Sequence, residues 1–368
     1  MRKPFLGVLA LVAASSLTLS ACGDDEATPG ASSSGASGGG TIGVILPDSA
    51  SSNRWETADR KYLTEAITAA GFTPDIQNAG NDKAKFSTIA EGMISKGVKA
   101  LMIVNLDSET GAAVITKAKN AAIPVIDYDR LTLGGGASYY VSFDNVKVGA
   151  AIGDGLVTCL KEKGKTSGGV VLLNGSPTDN NATLFKQGYE KSVKDAGYSI
   201  VDDQSVPDWD NTKAGQIFEQ IFTKQQGKFV GVASANDGLG GAVVSVLERN
   251  GLAGQIPTTG QDATDEGLQR VLLGTQCMTV YKAVKKEADA AAALAIALAK
   301  GDTAAADALA TGSVTDTKTS ASVKSVLLEP QAIFKANVKD VIADGYTTAD
   351  KVCTTDALKK ACTDNGVS

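Results

Sequence analysis

The chain has 368 residues, enough for two domains each with its own core, and its 43% hydrophobic, 21% charged and 5% aromatic content belongs to a globular protein. A net charge of −6 excludes nucleic acid as a partner, because a phosphate backbone needs a basic face to replace its counterions. Histidine is absent, which removes Ser-His-Asp and Cys-His nucleophile systems and the usual zinc sites.

The N-terminus reads as a targeting segment. Arg2 and Lys3 form a basic start, residues 5–19 an apolar run, and Leu19-Ser20-Ala21-Cys22 resembles a lipobox. The run is shorter than the ~20 residues that span a bilayer. A lipoprotein signal peptide over 1–21 is therefore expected. Cleavage before Cys22 would leave a lipidated cysteine that holds the exported protein to the outer face of the cytoplasmic membrane. The alternative is an ordinary secretory signal with a chance cysteine. Residues 22–40, rich in Gly and Ser, would be a flexible tether reaching roughly 20–25 Å. Apart from Cys22, the cysteines are Cys159, Cys277, Cys353 and Cys362. In an oxidising compartment these permit three pairings. Proximity in sequence favours Cys353 with Cys362, Cys159 and Cys277 stay open, and four reduced cysteines are the alternative.

From residue 41 short β-branched runs alternate with longer helical patterns. Strands are expected over 41–46, 75–78, 100–104 and 123–128, and helices over 54–70, 82–96 and 108–121. A Gly-rich loop then leads to a strand over 139–143 that opens a second series. Its strands fall at 170–174, 199–206, 229–233 and 258–260. Its helices end near Lys163 and run over 180–196, 211–225, 237–250 and 265–273, with Asp237 and Asp265 read as caps. A strand at 277–281, an alanine-rich helix over 285–300, a crossing strand at 323–329 and a polar tail complete the chain. Apolar strands separated by amphipathic helices imply parallel sheets covered on both faces, and two such series imply two doubly wound α/β domains.

Ligands of such sheets bind beyond the carboxyl ends of the strands. There the sequence places Asn53-Arg54-Trp55, Asp129-Arg130, Ser176 with Asp179-Asn180-Asn181, Asp208-Trp209, Asn236-Asp237, Gln261-Asp262 and Tyr281-Lys282. Carboxylates and amides make paired hydrogen bonds to vicinal hydroxyls, arginine offers a planar fork, and indole covers the C–H face of a pyranose. That chemistry suits a neutral sugar. Singly, each residue has a duller role as a cap, a turn or packing; together, seven sets fall at one end of successive strands.

These same segments, with Tyr128, Ser142-Phe143-Asp144-Asn145 and the run Gly274-Thr275-Gln276 to Lys282, resemble the bacterial D-xylose-binding proteins of ABC transporters, within the ribose/galactose-type periplasmic binding proteins. The similarity covers residues 41–345. It implies the type I fold, two doubly wound parallel-sheet domains joined by a three-strand hinge, with crossings near residues 142, 279 and 327. The domains would be 41–141 plus 280–326 and 142–279 plus 327–368. It also implies sugar contacts by Arg54, Trp55, Asp129, Arg130, Asn181, Trp209, Asn236, Asp262 and Lys282. The partners implied are a monosaccharide and an ABC transporter permease, with membrane contact through the lipid anchor only, no nucleic acid, no metal or other cofactor, and a monomeric receptor rather than an enzyme. Asn53 and Leu106-Asp107-Ser108 depart from the family pattern and bear on pentose against hexose preference, so glucose, galactose and arabinose are alternatives. A lipid-anchored glycoside hydrolase is a rival, since Asp129 and Asp262 would serve as its carboxyl pair. A transcriptional regulator would need a helix-turn-helix where residues 1–40 hold the signal and tether.

Overall fold

The computed structural model describes residues 39–367; the signal segment, Cys22 and nearly all of the tether lie outside the described residues. The first series comprises β1 (Thr41–Leu46), α1 (Arg60–Ala69), β2 (Thr73–Asn78), α2 (Lys83–Ser95), β3 (Ala100–Ile103), α3 (Ser108–Asn120), β4 (Val125–Tyr128) and β5 (Tyr139–Phe143). The second comprises α4 (Asn145–Glu162), β6 (Gly169–Asn174), α5 (Asn180–Asp195), β7 (Ser199–Ser205), α6 (Asn211–Gln225), β8 (Gly231–Ser234), α7 (Asp237–Arg249), α8 (Asp265–Leu273) and β9 (Met278–Tyr281). After these come α9 (Val284–Ala299), α10 (Thr303–Leu309), β10 (Gly312–Thr315), β11 (Ser322–Leu328), β12 (Gln331–Phe334), α11 (Val338–Ala343), α12 (Ala349–Val352) and α13 (Asp356–Asp364).

One sheet has the order β10-β11-β5-β4-β3-β1-β2, parallel except where β10 meets β11, a second is the parallel sheet β7-β6-β8, and β12 and β9 form a two-stranded third. The strand period of two sends neighbours to opposite faces. Val44 and Met102 thus join the core under the alanine-rich α9, whereas Ile45 and Leu101 join the core under α2 and α3. The second sheet is packed around Leu172, Tyr189, Phe218 and Val243. β11 pairs in parallel with β5, and β9 pairs antiparallel with β12.

One helix contact prepares the site. A Cβ at Gly149 on α4 would lie 2.1 Å from the Phe185 carbonyl oxygen, and one at Gly188 on α5 2.3 Å from that of Val146. Only glycine permits this approach. It brings the starts of α4 and α5 together, so that Asn145 lies 3.0 Å from Asn181.

Several elements depart from the sequence expectation. No strand forms at 258–260, only a bridge from Thr258 to Val232, because the Thr259 hydroxyl takes the Ser234 N–H at 3.1 Å in place of a ladder carbonyl. The helix expected from residue 54 opens with a wide π-turn, Trp55–Asp59. Asp237 and Asp265 are not caps. Asn236 and Thr264 cap α7 and α8 through Leu239 N and Gly267 N, and each Asp is the first helical residue. The expected polar tail is instead a folded layer, in which Ile333, Val338, Val341, Val352 and Leu358 pack with Leu268 and Leu272 of α8. Disulfides link Cys353 with Cys362 in that layer and Cys159 of α4 with Cys277 ahead of β9.

Candidate functional site

The strand ends open onto one narrow cleft, lined by all nine residues expected from the sequence together with Ser51, Ser52, Asp179, Phe185 and Gln261. Arg54 and Trp55 are delivered after β1 by a loop that Asp48 ties, its Oδ1 accepting from Ala50 N (2.8 Å) and Ser51 N (2.6 Å). Asp129 and Arg130 follow β4 directly, and Asn181 sits in the first turn of α5 behind its cap Asp179. Trp209 lies in a short turn after β7, Asn236 after β8, and Lys282 after β9. Several of these residues are held in left-handed backbone conformations: Asp129 (φ 63°), Asp208 (φ 62°), Trp209 (φ 56°) and Asp262 (φ 91°). Such strain costs of order 1–3 kcal/mol per residue and gathers where geometry serves a ligand.

The cations and carboxylates interlock. Arg54 is gripped by Asp59 (Nε–Oδ2 and Nη2–Oδ1, both 2.9 Å) and by Glu287 (Nη2–Oε2, 2.9 Å), which leaves Nη1 facing Asp129 Oδ2 at 3.2 Å. Burial works against its charge, yet Asp59, Asp129 and Glu287 together outweigh that and hold the guanidinium well above its usual pKa. Lys282 Nζ lies 3.1 Å from Asp262 and 3.8 Å from Asp129. Asp129 is pushed up by burial, but Lys282, Arg54 and Arg130 prevail and hold it below the ordinary carboxylate range. Arg130 Nε stands 3.0 Å from Asp179 Oδ2, which also accepts from Trp209 Nε1 at 3.1 Å.

Among the described residues, eight buried side-chain atoms lack an aligned hydrogen bond, and six of them belong to this wall: Ser52 Oγ, Arg54 Nη1, Trp55 Nε1, Arg130 Nε, Gln261 Oε1 and Asp262 Oδ1. Three of the six are within ion-pair distance of an opposite charge, but their bonding directions point elsewhere. Buried polar atoms are ordinarily satisfied, so a wall where they gather is prepared for a polar guest. Trp55 has the Arg54 guanidinium 4.2 Å over its ring, and Trp209 meets Phe185 edge-on at 6.4 Å.

Sequence reasoning missed Asp59 and Glu287, which hold Arg54 from behind. Glu287 carries a legible signal: on the apolar face of α9 it stands between Val284 and Ala291, where a carboxylate has no business without a buried cation. Burial and then the nearby Asp129 raise its pKa well above normal. Gln261 and Asp179 stood in the strand-end sets, and Ser51 and Ser52 enter only because the Asp48 loop folds back.

Two hinged, doubly wound domains with a polar, tryptophan-bearing cleft define the class of two-domain binding proteins. The periplasmic binding protein domain matches residues 42–303. Over 305 residues the chain is 35% identical to the D-xylose-binding periplasmic protein of Haemophilus influenzae, covering 81% of this chain and 88% of that one. It is likewise 35% identical over 311 residues to the D-xylose-binding periplasmic protein of Escherichia coli, covering 83% and 90%. The crystal structure of an ABC transporter solute binding protein from Clostridium phytofermentans with bound β-D-glucose is similar at a TM-score of 0.74 and 26% identity, covering 85% of this chain and 99% of that one. The chain belongs to the periplasmic binding protein family.

Proposed function

We propose that this protein is the exported, lipid-anchored receptor of an ABC transporter, which captures a monosaccharide, D-xylose before all others, by hinge closure and delivers it to the permease. The observation that carries the reading is the six buried polar atoms without an aligned hydrogen bond that gather around one cleft. The set holds both donors (Arg54 Nη1, Arg130 Nε, Trp55 Nε1) and acceptors (Asp262 Oδ1, Gln261 Oε1), which suits hydroxyls that donate and accept. The lining cations Arg54, Arg130 and Lys282 are matched by Asp129, Asp179 and Asp262, which favours an uncharged guest. The similarity to two D-xylose-binding proteins supports the pentose, and glucose in the Clostridium phytofermentans protein makes a hexose the alternative.

Closure is proposed between residues 41–141 with 280–326 and residues 142–279 with 327–368. Contacts across the cleft support it: Asn236 Nδ2 donates to Ser51 O at 3.2 Å, and Asn181 Nδ2 to Asp129 Oδ1 at 3.0 Å. A ligand bridging both walls adds its differential affinity to the closed form. A glycosidase needs a carboxyl that keeps its proton near neutrality. Asp129, held below the ordinary range, does not offer one. On this reading the sugar should be recovered unaltered. Anchoring is proposed through Cys22, and the receptor is proposed to act as a monomer. Calorimetric titration with D-xylose, L-arabinose, D-glucose, D-galactose and D-glucuronate tests the reading. D-xylose should bind tightest, and glucuronate binding above every neutral sugar would refute the charge argument.

A further inference from the structure

The hydrogen-bond polarity at the cleft floor can be worked out from Asp129 alone. Its carboxylate and its carbonyl oxygen only accept. Asn181 touches both, at 3.0 Å from Oδ1 and 2.9 Å from O, so the group it presents must be its NH₂. Its own oxygen then points away, toward Asn145, and Asn145 must supply the donor at 3.0 Å. The same Asn145 amide lies 3.1 Å from Tyr140 Oη and 3.3 Å from Ser142 Oγ, whose hydroxyl protons are committed to the Asp129 carbonyl at 3.2 and 2.8 Å. Asn145 is therefore the donor of the ring, one N–H going to Asn181 Oδ1 and the other shared between Tyr140 Oη and Ser142 Oγ.

We propose that Asn145 is a positioning residue of the cleft: as an obligate donor it orients Asn181 and, with Tyr140 and Ser142, locks Asp129 in its left-handed conformation, coupling the hinge strand β5 to the site. Asn145 does not line the cleft itself. It is buried at the start of α4, where the Gly149–Gly188 contact holds it against α5. Tyr140 and Ser142 lie on β5, and three donors converge on Asp129 O, so a rotation of β5 against α4 disturbs the ring before it reaches the ligand. The inference rests on the monosaccharide reading for its effect on affinity, but not for the polarity.

N145D tests it, because a carboxylate of nearly the same shape cannot donate until protonated. The charged or titratable groups facing position 145 are Tyr140 on β5, Asp144 beside it and Asp129 beyond Asn181, the last paired with Arg54 and Lys282. At pH 7.5 N145D should lower the affinity for D-xylose tenfold or more, and the deficit against wild type measured in parallel should shrink on acidification to pH 5. N145A should show a smaller deficit that does not change with pH. Melting temperatures of the ligand-free proteins should follow the same pattern. Wild-type affinity in N145D at pH 7.5, or deficits of N145D and N145A that change equally with pH, would overturn the donor role. A melting deficit with unchanged affinity would overturn the coupling to the site. A wild-type protein that binds no monosaccharide sinks the functional reading instead, and the melting comparison still decides the polarity.

Discussion

Removing the Trp209 indole is the sharpest perturbation of the proposed sugar platform. The ring is buried, its Nε1 donates to Asp179 Oδ2 at 3.1 Å, and it lies so close over Gly175 that a Cβ there would stand 2.0 Å from the ring. Trp209→Ala deletes the stacking face and the N–H together. Loss of a buried aromatic anchor costs about 1–3 kcal/mol of binding, or roughly 5- to 150-fold in Kd. Trp209→Phe keeps a ring and loses the N–H, so its deficit should be nearer the ~1 kcal/mol of one hydrogen bond. The order expected is wild type, then Trp209→Phe, then Trp209→Ala. Truncating a buried Trp also costs about 3–5 kcal/mol of stability, so melting is followed first and titrations run where each variant is folded. Calorimetry with D-xylose gives the result directly; a Trp209→Ala protein binding within twofold of wild type would remove the indole from the site.

Lys282→Met leaves Asp129 and Asp262 without their shared cation, and breaking a buried pair costs about 3–5 kcal/mol, so affinity should fall a hundredfold or more at pH 7.5 and partly return near pH 5. Wild-type binding in that variant, by intrinsic fluorescence titration, would contradict the charge balance. Asp127 is wholly buried, and burial raises its pKa to about 7 although Thr132 donates to it. The folded state then holds this proton more tightly than the unfolded chain, so the contribution is full below about pH 4 and lost as pH rises through about 7. Asp127→Asn lacks that loss, and urea midpoints at pH 5 and pH 7.5 should move in its favour relative to wild type; an unchanged gap would refute the burial account. Of the disulfides, the Cys159–Cys277 bridge, with a separation of 118, should contribute about 5 kcal/mol by chain entropy against about 2.5 for Cys353–Cys362, with a separation of 9. Equal losses in denaturant melts of the two Cys→Ser pairs would contradict it.

What the sequence by itself determined is everything that depends on local pattern. The period of apolar residues sets strands and helices in alternation, and parallel sheets put their loops at one end, so Arg54, Asp129, Asn181, Asn236 and Lys282 were legible as neighbours in space. The short layer of α11, α12 and α13 escaped because helices of 6, 4 and 9 residues are too brief to stand out from a polar loop, and their apolar residues find their place only by packing on α8. Only the tertiary structure decided which atoms meet. Glu287 reaches Arg54 across 233 residues, Asn145 meets Asn181 because two glycines let helices touch, and Asp179 divides one oxygen between Arg130 and Trp209. A carboxylate's partner, an amide's direction and a pKa are set by distances of about 3 Å between residues far apart in the chain, and local pattern carries no record of such distances.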